Sequence, residues 1–199
     1  MTPSTLVLDF VNSVPLPKME TRAQFVAFLK FAHGLMRASG PLLELAIERS
    51  SGALRDYYSA HFAEEKDHAQ WLAEDMALLG EAPEKIDHAA AATAGAQYYY
   101  LQHVGPHALL GYIAALEFRP MPLADVETLE KAFGAPAIRT VRYHAEHDPG
   151  HAKELASVID AHEKFADIVC YSAFVTAKMF SFYLNDRMRC TGDSNADSK

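Results

Sequence analysis

His144-Ala145-Glu146-His147-Asp148-Pro149-Gly150-His151, HAEHDPGH, places three histidines and two acids in eight positions and interrupts them with a proline and a glycine. On a helix, residues three, four and seven apart share a face, so His144, Asp148 and His151 project together while Glu146 and His147 point elsewhere. At 1.5 Å per residue, His144 and His151 stand about 10 Å apart along the axis, a long reach for a single ion. The span suits two ions about 3.5–4 Å apart, with Asp148 between the histidines. Pro149 removes the backbone bond to residue 145, which makes this turn easy to distort and places a helix boundary here.

Working outward, nearly every segment carries helical period, and long alternating strand patterns are absent. Upstream, TRAQFVAFLKFAHGLMRAS (21–39) sets Phe25, Phe28, Leu29 and Met36 on one side, and Gly40-Pro41 is expected to end it before PLLELAIERS restarts. A long helix is predicted from Ala53 to Leu79, closed by Gly80, and Pro83 opens a weaker Ala-rich segment over 89–96. A further helix is predicted from Gln97 to Phe118, ended by Pro120-Met121-Pro122, then a short one over 123–133 closed by Gly134. Ala137–Asp148 and Gly150–Arg187 complete the set. The expected organisation is an N-terminal arm (1–20), one all-α single-domain bundle of seven to eight helices (21–187), and a disordered tail (188–199).

The chain has 199 residues, half of them apolar, and a formal charge of −8. That size supports one well-buried core, and that charge argues against nucleic acid, whose phosphates demand a basic surface. The N-terminus lacks a basic region before its short apolar stretch, so no signal peptide is expected. No continuous apolar run reaches the roughly 20 residues of a membrane span. Cys170 and Cys190 imply no disulfide framework, and a reducing cytoplasm fits best.

Two further clusters carry chemistry. HFAEEKDHAQW holds His61, Glu64, Glu65 and His68. Glu65-x-x-His68 is the i, i+3 pair by which helical bundles present a carboxylate and an imidazole to a di-iron centre. Glu64 and His61 share that general face, so both stand as alternative ligands. Glu117 ends the apolar stretch Leu109–Leu116, where a lone acid is costly unless it is paired or bound to metal. Cys170 sits in an apolar helix, a poor setting for a reactive thiolate.

The order Glu65-x-x-His68, Glu117, His144-x3-Asp148-x2-His151 resembles the haem-oxygenase-like di-iron oxidases and oxygenases. That superfamily includes an alkene-forming fatty-acid decarboxylase, N-oxygenases and a para-aminobenzoate-forming protein. The likeness spans about residues 20–187, and HxxxDPGHA is similar to the family's third ligand-bearing helix. The resemblance implies the haem-oxygenase-like bundle, with Glu65, His68, Glu117, His144, Asp148 and His151 as metal ligands. It implies two Fe(II), with Fe/Mn as a variant, and O2 as co-substrate. Activity is expected on a small organic metabolite (an amine, amino acid or fatty acid) by N-oxygenation, C–C cleavage or decarboxylation. No catalytic side chain is expected beyond the ligands. The expected partners are the small-molecule substrate, an external reductant and a second copy in a homodimer, with neither nucleic acid nor membrane. Two rival readings are a metal-free oxidase or thiaminase-like enzyme of the same fold, and a non-catalytic helical binding protein. Among the substrates of the di-iron reading, a long apolar cavity favours a fatty acid and a shorter, polar one an amine or amino acid.

Overall fold

The computed structural model describes residues 1–192, with side chains described to Arg189. Among these residues the chain forms nine α-helices and two short 3-10 turns and no strand. In order they are α1 (Pro3–Ser13), α2 (Arg22–Arg49), α3 (Gly52–Glu65), α4 (His68–Leu78), α5 (His88–His103), α6 (Ala108–Glu117), α7 (Leu123–Phe133), α8 (Arg139–Ala161) and α9 (Ala166–Gly192). Taking α3 and α4 as one interrupted helix gives eight.

α6 is the axis of the bundle. Seven consecutive residues from Ala108 to Ala114 are buried, so it is apolar all round. Gly111 lets α9 approach it: a Cβ there would run into the Val169 carbonyl and lie 2.7 Å from the Ala173 amide. The main core gathers around this contact, with Leu42, Tyr58, Leu101, Leu110, Leu155 and Ala173. Residues Glu163–Arg189 are long and apolar enough to cross a bilayer by length and composition. Here they pack against α6, α2, α1 and α5 as an element of the bundle.

Several helix boundaries differ from those the sequence predicts. α2 runs unbroken through Gly40-Pro41, and α8 through Pro149-Gly150. Both prolines are exposed; Pro41 leaves the carbonyl of exposed Arg37 without its donor and Pro149 that of buried Ala145, and the packed faces hold both helices together. The single helix expected over 53–79 is interrupted at Lys66-Asp67. The one expected over 97–118 is two helices around Gly105-Pro106, where Gly105 takes φ +149°. The one expected over 150–187 is divided after Ala161. The N-terminal arm contains α1, whose Val7 and Val11 are fully buried. The Asp160 carboxylate holds its first turn, accepting from the Ser4 amide and hydroxyl at 2.9 Å each. The tail expected to be disordered from 188 begins inside α9, and residues 193–199 lie outside the described residues.

α8 is fixed at its start by Asp75 of α4. This buried carboxylate accepts from the Thr140 amide at 2.7 Å and pairs with Arg139 at 3.1 Å. An acid at a helix N-terminus meets the free amides and the positive end of the dipole. That contact sets the rotation of α8, and with it the direction of His144 one turn later.

Candidate metal centre

Four segments converge on one interior point: the end of α3, the start of α4, the C-terminal end of α6 and the middle of α8. The α3–α4 interruption falls between Glu65 and His68, with Lys66 and Asp67 forming the turn. It leaves Glu65 Oε2 2.9 Å from His68 Nδ1. His61, one turn before Glu65, meets Glu117 of α6, Nε2 to Oε1, at 3.1 Å. On α8, His144 Nδ1 and Asp148 Oδ1 are 3.1 Å apart, and His151 Nδ1 lies 4.0 Å from the same oxygen.

The donors form two overlapping triads. Ligating atoms of Glu65, His68 and His144 lie within 4.8 Å of one another, and so do those of His61, Glu65 and Glu117. Glu65 belongs to both. The rings of His61 and His151 stand 5.9 Å apart, and those of His68 and His144 4.9 Å. The triads thus gather four of the six residues expected from the sequence, with His61 as a full member, while Asp148 stands beside His144 and His151 beside His61. Glu64 does not: its side chain is 53% exposed and touches the rim through His151, Oε2 to Nε2 at 3.1 Å. His147 and Glu146 face outward, His147 toward the Tyr143 carbonyl and Glu146 toward Arg142.

Five donor atoms here are buried without a hydrogen-bond partner: Glu65 Oε1, His68 Nε2, Glu117 Oε2, His144 Nε2 and His151 Nδ1. Buried polar atoms are normally satisfied, and leaving one unpaired costs on the order of 1–3 kcal/mol. Five around one point is the arrangement expected of ligands to ions. The donor set of four imidazoles and three carboxylates, with no thiolate, suits iron or manganese. The residues present fit the implied pair of ions.

The electrostatics agree. Burial disfavours charge on His61, but its hydrogen bond to Glu117 and the nearby Glu65 and Glu64 outweigh burial and raise its pKa above 6.5. Burial raises Glu117, opposed by His61 and reinforced by Asp148 and Glu65. Both directions keep a proton on this pair. His144 is likewise raised against burial by Asp148, Glu65 and Glu117. Glu65 moves down: burial opposes its charge, but His68, His144 and His61 hold the carboxylate ionised. Without cations, the neighbouring carboxylates favour a proton at His61 and at His144, and bound cations would displace those protons.

Surrounding residues complete the setting. Trp71 and Tyr143 flank the His68 ring at 4.6 and 5.0 Å, and Tyr57 stacks on His61 at 5.8 Å. The sequence pattern does not mark out these three or Asp75. Tyr57-x3-His61 and Tyr143's adjacency to His144 were the available signals, hidden among aromatics at core spacing. Cys170 is half-buried in α9, and burial, then Asp167, raises its thiol pKa, which disfavours a nucleophilic role.

On one side the centre opens into a cavity of about 940 Å³. His61, Glu65, Glu117, His144 and Asp148 form part of its wall. Much of the rest is apolar, from Phe28, Leu29 and Met36 of α2, Ile113 of α6, and Phe180 and Leu184 of α9. Its exposed lining residues, Leu16, Lys18, Glu20, Asp125 and Thr128, mark a mouth between the α1–α2 connector and α7. On the other side a water-sized hollow of about 10 Å³ touches Tyr57, Glu64, His151 and Glu154.

No family model matches the chain, and no curated protein matches it. Among solved structures it is similar to a domain of unknown function with a haem oxygenase-like fold from Shewanella denitrificans OS217. The TM-score is 0.75 at 15% identity, over 98% of this chain and 92% of that one. The chain has the haem-oxygenase-like fold.

Proposed function

We propose that the protein is a non-haem di-iron oxidoreductase, with Fe/Mn as a variant loading, that uses O2 to oxidise a small organic metabolite. The observation that carries this reading is the five unpartnered buried donor atoms around a carboxylate common to two triads. One ion would be held by Glu65, His68 and His144, the other by His61, Glu65 and Glu117, with Asp148 and His151 serving the α8 side. Two ferrous ions supply two electrons to one O2, with an external reductant restoring them.

The chain's own residues then have distinct tasks. Glu65, common to both triads, would serve as a ligand at both positions. His61 and Glu117 hold a proton between them that must leave when the site is loaded. Trp71 and Tyr143 close the site against solvent behind His68. The apolar cavity wall orients a substrate and keeps bulk water from the reacting face. We place this activity in the cytoplasm, in a homodimer.

Anaerobic loading followed by anomalous scattering at the iron and manganese edges tests the reading. Two peaks are expected, both beside Glu65. A single ion, or ions bound elsewhere, refutes it.

A further inference from the structure

The cavity against the centre narrows the substrate class. We propose that it binds an aliphatic chain ending in a carboxylate, with the head at the Glu65–Asp148 centre and the chain running between α2 and α9 toward the α1–α2 connector. The inference rests on the di-iron reading for its head and on the cavity alone for its chain.

A space of about 940 Å³ lies at the top of the range for small-molecule sites, far beyond the needs of O2. Its inner wall is mostly Leu, Ile, Phe, Ala and Met, with Tyr112 and Ser39 as the polar interruptions away from the centre. Ala32, Met36 and Phe28 sit mid-helix on α2 yet remain only half-buried, and all three line this space. Met19, Met36 and Met121 give the wall adaptable side chains that conform to a flexible tail. Away from the centre the interior offers a charged ligand no partner. Of the two cations in the lining, Lys18 is exposed at the mouth, and the Arg119 guanidinium is taken by the Val11 and Val14 carbonyls. A small molecule charged at several positions would leave buried charge unpaired, which an apolar wall penalises heavily. An aliphatic chain has no such cost.

The head is set by charge. With imidazoles neutral, the three carboxylates of Glu65, Glu117 and Asp148 against two divalent cations leave one positive charge. An anionic head is attracted to the loaded centre and repelled by the empty one. Thr140, one turn from His144 on the same face, adds a buried hydroxyl without a partner that also lines the cavity.

The test is calorimetric titration of metal-free and Mn(II)-loaded full-length protein with octanoate, decanoate and dodecanoate, and with dodecanol and dodecylamine as head controls. Affinity should rise about fourfold per methylene, or about sixteenfold per two carbons, at one ligand per chain. Mn(II) should tighten dodecanoate at least about tenfold (a 1.4 kcal/mol difference), leave dodecanol unchanged and weaken dodecylamine. Ala177→Phe, which fills the α9 side of the cavity, should abolish the gain from decanoate to dodecanoate while Mn(II) binding persists. Ala32→Leu does the same from α2 with less added volume, should the larger change disturb folding by circular dichroism. Affinity independent of chain length, or a chain-length series untouched by both cavity variants, overturns the proposal even if Mn(II) binds. Mn(II) without effect on dodecanoate overturns the head placement. Failure of Mn(II) to bind at all removes the di-iron reading instead, and the metal-free series still decides whether the cavity takes the chain.

Discussion

Glu65→Ala separates a shared carboxylate from two independent sites. In the metal-free protein the substitution removes a charge-assisted hydrogen bond to His68 at 2.9 Å, worth about 1.5–3 kcal/mol. It also removes a buried oxygen without a partner, which relieves about 1–3 kcal/mol. The substitution also strands the buried His68 Nδ1, which offsets that relief, so metal-free stability should fall by about 1.5–3 kcal/mol. The loaded protein behaves differently. Each independent site filled at a hundredfold excess over its dissociation constant stabilises the fold by about 2.7 kcal/mol, or about 5.4 kcal/mol for two. Because Glu65 lies in both triads, Glu65→Ala should forfeit most of that gain, whereas His68→Ala, present in one triad, should forfeit about half. Urea unfolding with and without Mn(II), read by circular dichroism at constant m-value, measures both. If Glu65→Ala keeps the full Mn(II)-dependent gain, the two triads are not one centre.

Other outcomes follow from the same geometry. Asp148→Ala and His151→Ala should each lower bound Fe(II) per chain by atomic absorption, while Glu146→Ala, outward-facing and paired with Arg142, leaves it at the wild-type value. Asp75→Ala should cost about 1.5–3 kcal/mol in urea unfolding by releasing the Thr140 amide, and weaken metal binding through His144 without touching a ligand. Gly111→Ala should cost about 1–3 kcal/mol, because the new methyl drives α9 away from α6; an unchanged unfolding midpoint would show the close approach to be unimportant. The raised pKa values of His61 and His144 give a signed pH dependence. Their contribution to metal-free stability is fully present below 6.5 and is lost as pH rises through the folded values. Metal binding must displace the same protons, so Mn(II) affinity should fall by up to about two decades per pH unit as pH drops below those values. A flat profile in a pH titration of Mn(II) binding would contradict the protonated His61–Glu117 pair.

How much of the fold was legible depends on which force decided each boundary. The helices themselves were legible because apolar residues recur with helical period, and the short α7 was placed correctly because Pro122 and Gly134 bound it. Pro41 and Pro149 misled because a proline's cost is set against the packing of the helix it interrupts. Both lie on exposed faces of helices whose opposite faces are buried, at Leu42, Leu43 and Ala46 in one case and Ala145, Asp148 and Leu155 in the other. Packing outweighs one missing bond there. Gly105-Pro106 erred in the other direction. The apolar pattern of 97–118 continues across it, yet a glycine at φ +149° turns the chain, and that dihedral leaves no trace in hydrophobic periodicity.

The centre was legible where ligands share one helix and ambiguous where the helix breaks. His144, Asp148 and His151 keep their phase because α8 stays continuous. Around Glu65 the sequence offered Glu65, Glu64 and His61 as competing choices, since an unbroken helix spreads them over a broad face. The structure removes the competition: Glu65 keeps its i, i+3 contact with His68 across Lys66-Asp67 while His61 reaches across to Glu117. The interruption sits between Glu65 and His68, where Lys66 (φ −55°, ψ −28°) and Asp67 (φ −101°, ψ −7°) both stay in the right-handed helical region, so the i, i+3 pair keeps its shared face. One nearly continuous segment therefore serves both triads. The sequence around the interruption, Glu-Glu-Lys-Asp, contains neither glycine nor proline to announce it. The register across it is fixed from outside, by the burial of His68 and Asp75 and their contacts to His144 and Thr140 of α8.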